Sequence, residues 1–446
     1  MRGKPLTQRV GYVLVIGIAA KFFIDTSVQL FNPFLVMYAA GIGVSALTMG
    51  KLVSVRNLSG LAAPVIGSLA DKYGYRRIMR LNLLLAGTGI LLFALGKTMP
   101  MFIIAMIIWG TGQGGVGPNL HSYVSAMLPY SKRSRYLGTI EYSWALAGII
   151  GLFFIGRIIA ACGWRAPLFV LSAGMILSAF VMSTLPKNGT KMGSAPGHAA
   201  DPDAEASGAK SPGSTKGTSV PEKNLLEESK VRADGRRADG RSAGGNLTRR
   251  IRSFFYLGIH QRSAWSCILI SVFNYFATTH VMIIHGGWLE AEYGFGAKSL
   301  GTVALILGMF DWLGSIIVSV AGDNIGKKRS VLIGITGMMI SFTMLPFFNT
   351  GIYRAVTGLA LTRFFFEFAT VSGFPLISEQ DPSQRGKILS FSVTGGLVGT
   401  TLAAITGPAA YLKYGVAGLG PISAAAVCFS FVLLLLFVRE EPHRRR

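Results

Sequence analysis

Five charged residues sit deep inside apolar stretches of the chain: Asp25, Arg56, Asp311, Arg363 and Glu367. Each such charge costs roughly 2.5–3.5 kcal/mol on a membrane-insertion scale, so it is retained where it faces a cavity or a partner. The carboxyls Asp25, Asp311 and Glu367 are the candidates for proton coupling, since a carboxyl there can load a proton on one side of a barrier and release it on the other. Asp25 leads them, but a second reading stands beside the first. Lys21 lies one helical turn earlier, and an ion pair with it would hold the carboxylate ionised. Arg363 and Glu367 share that i,i+4 spacing, which favours a static pair. Asp311 has no charged residue three or four positions away, which leaves a cavity role or a partner on another helix, such as Arg56. Gln113, His121, Trp144, Phe273, Tyr275 and His280 complete the candidate lining of a solute cavity. His121, His280 and His285 titrate near neutrality when free, although a buried histidine is more often a hydrogen-bonded structural group. Tyr142, Trp288 and Trp312 are further aromatic candidates, against the commoner role of aromatics in packing.

The elements that hold these residues are hydrophobic helices. Of the 446 residues 51% are hydrophobic and 14% charged, and residues 98–131, 388–412 and 414–438 contain no Asp, Glu, Lys or Arg. Each run exceeds the roughly 20 residues that cross a bilayer as a helix, and backbone groups in lipid must be satisfied within the segment. Twelve such segments are expected near 10–38, 47–70, 78–97, 101–128, 137–161, 167–185, 264–289, 298–322, 329–348, 351–379, 387–413 and 416–438. The fold class is therefore an all-α membrane protein. The first segment is too long for a cleavable signal peptide and carries Lys21 and Asp25, so it reads as the first span.

The net charge of +23 orients the chain rather than recruiting nucleic acid. On alternating topology one side carries only Lys97, Arg165, Lys298, Arg354 and Lys413. The other gathers Lys72, Arg76, Arg77, Lys132, Arg133, Arg135, Lys327, Lys328, Arg329, Arg385 and Lys387. This positive-inside pattern predicts cytoplasmic termini in the plasma (inner) membrane. Cys162, Cys267 and Cys428 lie far apart and have neither disulfide nor zinc spacing.

The chain divides once. Residues 187–262 turn to Gly, Ala, Ser and charge, including "RADGRRADGRSAGG", a composition that cannot bury enough apolar surface to order itself. A cytoplasmic, largely disordered linker is expected there, its end "LTRRIRSFFYLGIHQR" lying along the anionic leaflet. It joins an N-terminal bundle (1–186) to a C-terminal bundle (263–446). The halves repeat: at an offset of 252, Asp71, Gly74, Arg76, Arg77, Ser131 and Arg133 meet Asp323, Gly326, Lys328, Arg329, Ser383 and Arg385. "GIGVSAL" (Gly41 to Leu47) parallels "GFGAKSL" (Gly294 to Leu300) at 253. Two parallel six-helix repeats place a solute site between them near the midplane.

"GSLADKYGYRR" (Gly67 to Arg77) resembles the loop signature between helices two and three of the major facilitator superfamily, and "AGDNIGKKR" (Ala321 to Arg329) its weaker copy between helices eight and nine. The resemblance covers the whole chain. It implies two pseudo-symmetric six-helix bundles that transport a small solute by alternating access. It also implies a cytoplasmic conformational gate made of Gly67, Asp71, Gly74, Arg76, Arg77, Arg133, Glu141, Asp323, Gly326, Lys328, Arg329 and Arg385, with Asp71 near the start of helix eleven. Tyr75 stands where the signature usually has arginine. "EYSWALAGIIGLFFIG" followed by "GWRAPLF" is similar to the arabinose- and purine-efflux branch, which implies proton-coupled export. Two antiporter signatures depart from pattern: Gly110 occupies the helix-four arginine position before Gln113-Gly114, and Gly148, Gly151 and Gly156 lack the accompanying proline. An uncoupled facilitator, an uptake symporter and a non-transporting membrane receptor of the same fold thus stay open.

Other classes fit poorly. "GTGQGG" (Gly110 to Gly115) matches a dinucleotide fingerprint, but it lies inside an uncharged helical run rather than between strand and helix, so close helix packing is its expected purpose. No loop carries a nucleophile–base constellation or a metal-ligand cluster, so neither an enzyme, a cofactor nor a metal is expected. The expected partners are a small-molecule solute, protons and lipid, with the transmembrane proton gradient as energy source and a monomer as the unit.

Overall fold

The computed structural model describes residues 6–127, 136, 139–186, 255–258, 260–381 and 385–440. The chain forms two compact units, 1–190 with 257–446, and 191–256. Only Phe255 and Tyr256 of the second fall among the described residues, so residues 187–254 and 259 of the expected linker lie outside them, and its last two residues, Gln261 and Arg262, already belong to a helix.

The larger unit is helical, and no strand occurs among its described residues. Its first half contains α1 (Leu6–Gln29), α2 (Phe31–Gly41), α3 (Ala46–Ser59), α4 (Ala63–Tyr73), α5 (Tyr75–Leu95), α6 (Met99–Met127), α7 (Tyr142–Leu146), α8 (Leu152–Cys162) and α9 (Ala166–Val181). The second contains α10 (Gln261–Met282), α11 (His285–Tyr293), α12 (Ala297–Ile325), α13 (Lys327–Phe348), α14 (Ile352–Ser378), α15 (Arg385–Tyr414) and α16 (Val416–Phe437). Among the described residues eleven helices are long and apolar enough to span a membrane, or up to 12 once the bent pair of α2 with α3–α4 is counted. Because only Leu30 separates α1 from α2, those two form the first span and α3–α4 the second.

Three expected continuous spans are interrupted. The first breaks at Leu30, three residues before Pro33, whose ring removes an N–H and crowds the preceding turn. The seventh breaks at Ile283 and Ile284, between α10 and α11. The fifth carries a one-turn π-helix at Ala147–Gly151 between α7 and α8.

The repeat is visible in backbone conformation. Gly74 turns α4 into α5 with φ 93° and ψ 133°, and Gly326 turns α12 into α13 with φ 94° and ψ 147°. A positive φ of this kind suits glycine alone, which explains why both copies of the loop keep one. The two halves meet mainly on the face away from the chain termini, through α2 with α11, α3 with α15, and α8 with α12. Gly50 faces the Ala404 carbonyl, Gly286 faces Pro33, and a Cβ on Gly156 would lie 2.9 Å from Gly301 Cα. Small residues bring these backbones into contact. The "GTGQGG" glycines serve the same end inside the first bundle: a Cβ on Gly112 would lie 2.6 Å from Asn82 O, and one on Gly114 would lie 2.7 Å from Gly60 O.

Candidate functional site

In the first bundle the buried pair Lys21 and Asp25 joins Glu141 and His121 in one network. Lys21, one turn before Asp25, puts its Nζ 2.9 Å from Asp25 Oδ2, 3.1 Å from Ser143 Oγ and 3.3 Å from Glu141 Oε2. Ser143 donates to Asp25 Oδ2 at 2.6 Å. His121 Nε2 lies 2.9 Å from Glu141 Oε1. Exposure falls along the series, from 55% for the Glu141 side chain and 37% for His121 to 9% for Lys21 and 7% for Asp25. The network thus runs from a solvent-reachable pair to a carboxylate on α1. Glu141, expected in the gate, here pairs with Lys21 and His121. Ser143 is a member that the sequence reading missed, since a hydroxyl in an apolar run carries no mark of its own.

Arg56 on α3 is buried, and no acidic partner is found for it among the described residues. Its Nη1 donates to Ser27 O at 3.2 Å, and its Nη2 to Val28 O at 3.4 Å and Asn57 Oδ1 at 3.2 Å. Its Cζ lies 5.2 Å from the ring centroids of Phe31 and of Trp109. The guanidinium therefore caps carbonyls at the broken end of α1, where the helix dipole favours a cation. Arg56→Met, which keeps the packing and removes the donors, should leave those carbonyls unpaired at about 1–3 kcal/mol each. The check is a thermal transition of the purified protein several degrees below wild type, with Arg56→Lys intermediate.

In the second bundle the expected pairing is corrected. Arg363 on α14 does not pair with Glu367 one turn away. It grips Asp311 on α12 with both edges of its fork, Nε to Oδ1 at 2.9 Å and Nη2 to Oδ2. A bidentate guanidinium–carboxylate geometry outweighs the looser same-helix contact. Glu367 instead accepts from Ser315 Oγ at 2.9 Å. Asp311 thus has its across-helix partner, and that partner is Arg363 rather than Arg56.

A cavity of about 30 Å³ lies between the bundles, lined by Gln29, Asn32, Met282, His285, Asp311 and Arg363 among others. Of the sequence candidates, it gathers Asp311 and Arg363. Asp25, Arg56, Gln113, His121, Trp144, Phe273, Tyr275, His280 and Glu367 are not among its lining residues. Phe273 stacks on Phe429 with centroids 5.6 Å apart, and Tyr275 meets Phe366 edge-on at 5.1 Å. Trp288 donates to Asn349 Oδ1 at 3.0 Å. His280 lies 3.3 Å from Ser423 Oγ. These residues pack; their aromatic character alone did not reveal whether they faced a cavity.

At the terminal face, Arg76 Nη1 donates to Leu185 O at 2.6 Å and to Ser183 O at 3.1 Å, and Lys328 Nζ to Val438 O at 2.7 Å. Each basic residue caps the end of the last helix of its own bundle, which differs from a contact across the gate. Arg77 and Arg329 are exposed, and Gly67 has open space around it. Arg133 and the side chains of Asp71, Asp323 and Arg385 lie outside the described residues.

Two repeated helical bundles, broken helices facing each other and a cavity between them define a polytopic membrane protein of the two-repeat transporter class. The chain belongs to the Major Facilitator Superfamily, whose family model matches residues 18–254 and 267–446. It is not an enzyme. It is 22% identical to an uncharacterized MFS-type transporter, YwfA of Bacillus subtilis (strain 168), over 84% of this chain and 79% of that protein. It is 32% identical to the multidrug resistance protein MdtG of Yersinia enterocolitica, over 36% of this chain and 40% of MdtG. A 32% identical match to YfiU of Bacillus subtilis (strain 168) spans only 20% of that protein. In structure it is similar to the D-xylose-proton symporter, with a TM-score of 0.70 at 16% identity, covering 98% of this chain and 99% of that one. An inward open conformation of the xylose transporter XylE from E. coli gives 0.66 at 16% identity, over 99% and 98% of the two chains.

Proposed function

We propose that this protein is a secondary active transporter that exports a small organic solute in exchange for protons, with Asp25 as the proton site. The observation that carries the reading is the Asp25 network. A buried carboxylate is linked through Ser143 and Lys21 to the partly exposed Glu141–His121 pair, which gives a proton a route between interior and surface. Glu367, which accepts from Ser315, is the second coupling candidate and Asp311 the third. Contact between the bundles on the face away from the termini corresponds to one end state of alternating access, and rocking of the bundles would expose the cavity to the other side. Export draws support from the multidrug resistance relatives, whereas the structural neighbours named for proton symport share only the fold.

On this reading the termini and the basic loops are cytoplasmic, in the plasma (inner) membrane. Residues 1–186 and 263–446 act as the two rocking bundles of a monomer, 187–262 is a cytoplasmic linker, and the proton gradient supplies the energy without a cofactor. The repeated loop residues act as the gate. The test is a thermal-shift ligand screen, followed by flux of a hit in proteoliposomes with and without a pH gradient. Asp25→Asn is expected to abolish gradient-driven accumulation while solute exchange without a gradient persists. Gradient-driven flux with an unchanged pH profile in Asp25→Asn sinks the assignment, and flux opposite to the imposed proton movement distinguishes export from symport.

A further inference from the structure

The cavity between the bundles sits where the two broken spans face each other, and its lining follows the internal repeat. At the offset of 253, Gln29, Asn32 and Pro33 around the first break correspond to Met282, His285 and Gly286 around the seventh. Gln29, Asn32, Met282 and His285 all line the cavity, and Gly286 packs on Pro33. Equivalent residues facing one space place that space on the axis relating the repeats.

Two of its polar side chains, His285 and Gln29, present acceptors. His285 is 2% exposed, and its Nδ1 lies 2.7 Å from Met282 O. A carbonyl only accepts, so Nδ1 carries the proton and Nε2 keeps a lone pair. That Nε2 is buried and has no partner. Gln29 donates its Nε2 to Trp144 O at 3.1 Å, so its amide oxygen is the end left to accept. Arg363 turns Nε and Nη2 to Asp311, whose carboxylate retains further lone pairs. Glu367, one turn from Arg363 though outside the lining, adds a second carboxyl near the one that Arg363 pairs with. At about 30 Å³ the cavity exceeds the roughly 10–15 Å³ that admits one water, so a small polar group fits.

We propose that this axial cavity receives the hydrogen-bond-donating end of the solute, an ammonium in preference to a hydroxyl, with His285 Nε2 as its acceptor between Asn32 and Asp311. The assignment rests on the transport reading only for what happens to the solute after binding. It gives the seventh-span break a role in recognition, because α11 carries His285 and also packs on α2 across the bundle contact.

The test uses the full-length protein in nanodiscs, with ¹⁵N-labelled histidine and four small probes: 2-aminoethanol, 1,2-ethanediol, tetramethylammonium and acetate. The expected result is a saturable shift of the unprotonated His285 nitrogen with 2-aminoethanol, about tenfold weaker binding of 1,2-ethanediol, and no shift with tetramethylammonium, a cation without a donor, or with acetate. In thermal-shift titration, His285→Gln, whose amide oxygen can accept, keeps the 2-aminoethanol response, whereas His285→Leu weakens it by about tenfold or more. An equal response to tetramethylammonium or acetate, no response to 2-aminoethanol, or an unchanged response in His285→Leu overturns the proposal. Proton-driven flux in a protein that fails these probes removes only this site. The expected probe pattern without flux keeps the site and removes the transport reading.

Discussion

Gly50→Leu is expected to lower turnover by about a hundredfold or more while leaving each bundle folded. Gly50 lies near the start of α3, against the other bundle. A Cβ there would run into the Ala404 carbonyl of α15, with Pro408 Cγ 3.3 Å away. Backbone cannot rotate out of the way as a side chain can, so the leucine holds α3 and α15 apart. One turn further, Ser54 Oγ donates to Thr401 O at 2.8 Å across the same interface, a bond that needs that approach. The loss falls on a contact between bundles rather than within one, so folding is spared while closure of the face away from the termini is blocked. Proteoliposome flux measures the first effect, and the thermal transition, within a few degrees of wild type, the second. Asn32→Cys in the Gly50→Leu background should react with an impermeant maleimide from the face away from the termini. Gly11→Leu is the control, because Gly11 has nothing within 4 Å of its added carbon. Normal flux in Gly50→Leu would mean that this contact never forms in the working cycle.

What could be read from the sequence follows the range over which its signals act. Uncharged runs announce spans directly, and the recurrence of Gly74 at Gly326 announced two turns that share φ within one degree. Lys21 and Asp25 were readable as neighbours because a helix brings i and i+4 together. The same rule misled at Arg363. It proposed Glu367, on the same helix, while Asp311, 52 residues away on α12, offered the bidentate geometry. Pairing between helices is decided by packing, which leaves no local spacing to detect. Arg76 and Lys328 show the same limit from another side. Their charge and repetition were plain, but their partners are the main-chain carbonyls of Leu185 and Val438, groups that every residue carries. His285 was noticed only as a titratable ring. Its place in the cavity depends on the break at Ile283, beside a Gly286-Gly287 pair that was not read as a break.

Arg363→Met is expected to destabilise the second bundle by about 3–5 kcal/mol, because it strands Asp311 without its buried partner. Glu367 worsens the loss. It lies one turn from Arg363 and accepts from the Ser315 hydroxyl, so two carboxylates would share a site that has lost its guanidinium. Asp311→Asn should cost less. Removing that carboxylate leaves Arg363 free to turn toward Glu367, at the i,i+4 spacing it now leaves unused, so the remaining charges still balance. The order of the two single variants therefore reports on a third residue that neither substitution touches. The double variant Asp311→Leu with Arg363→Met should recover part of the loss, since a buried ion pair replaced as a unit by apolar side chains is often neutral or better. Chemical denaturation of the wild type, Arg363→Met, Asp311→Leu and their double variant in one detergent gives the coupling energy directly. Equal costs for Arg363→Met and Asp311→Asn would remove Glu367 from the network, whereas a larger cost for Arg363→Met, eased by adding Glu367→Gln, would establish the three as one electrostatic unit beside the axial cavity.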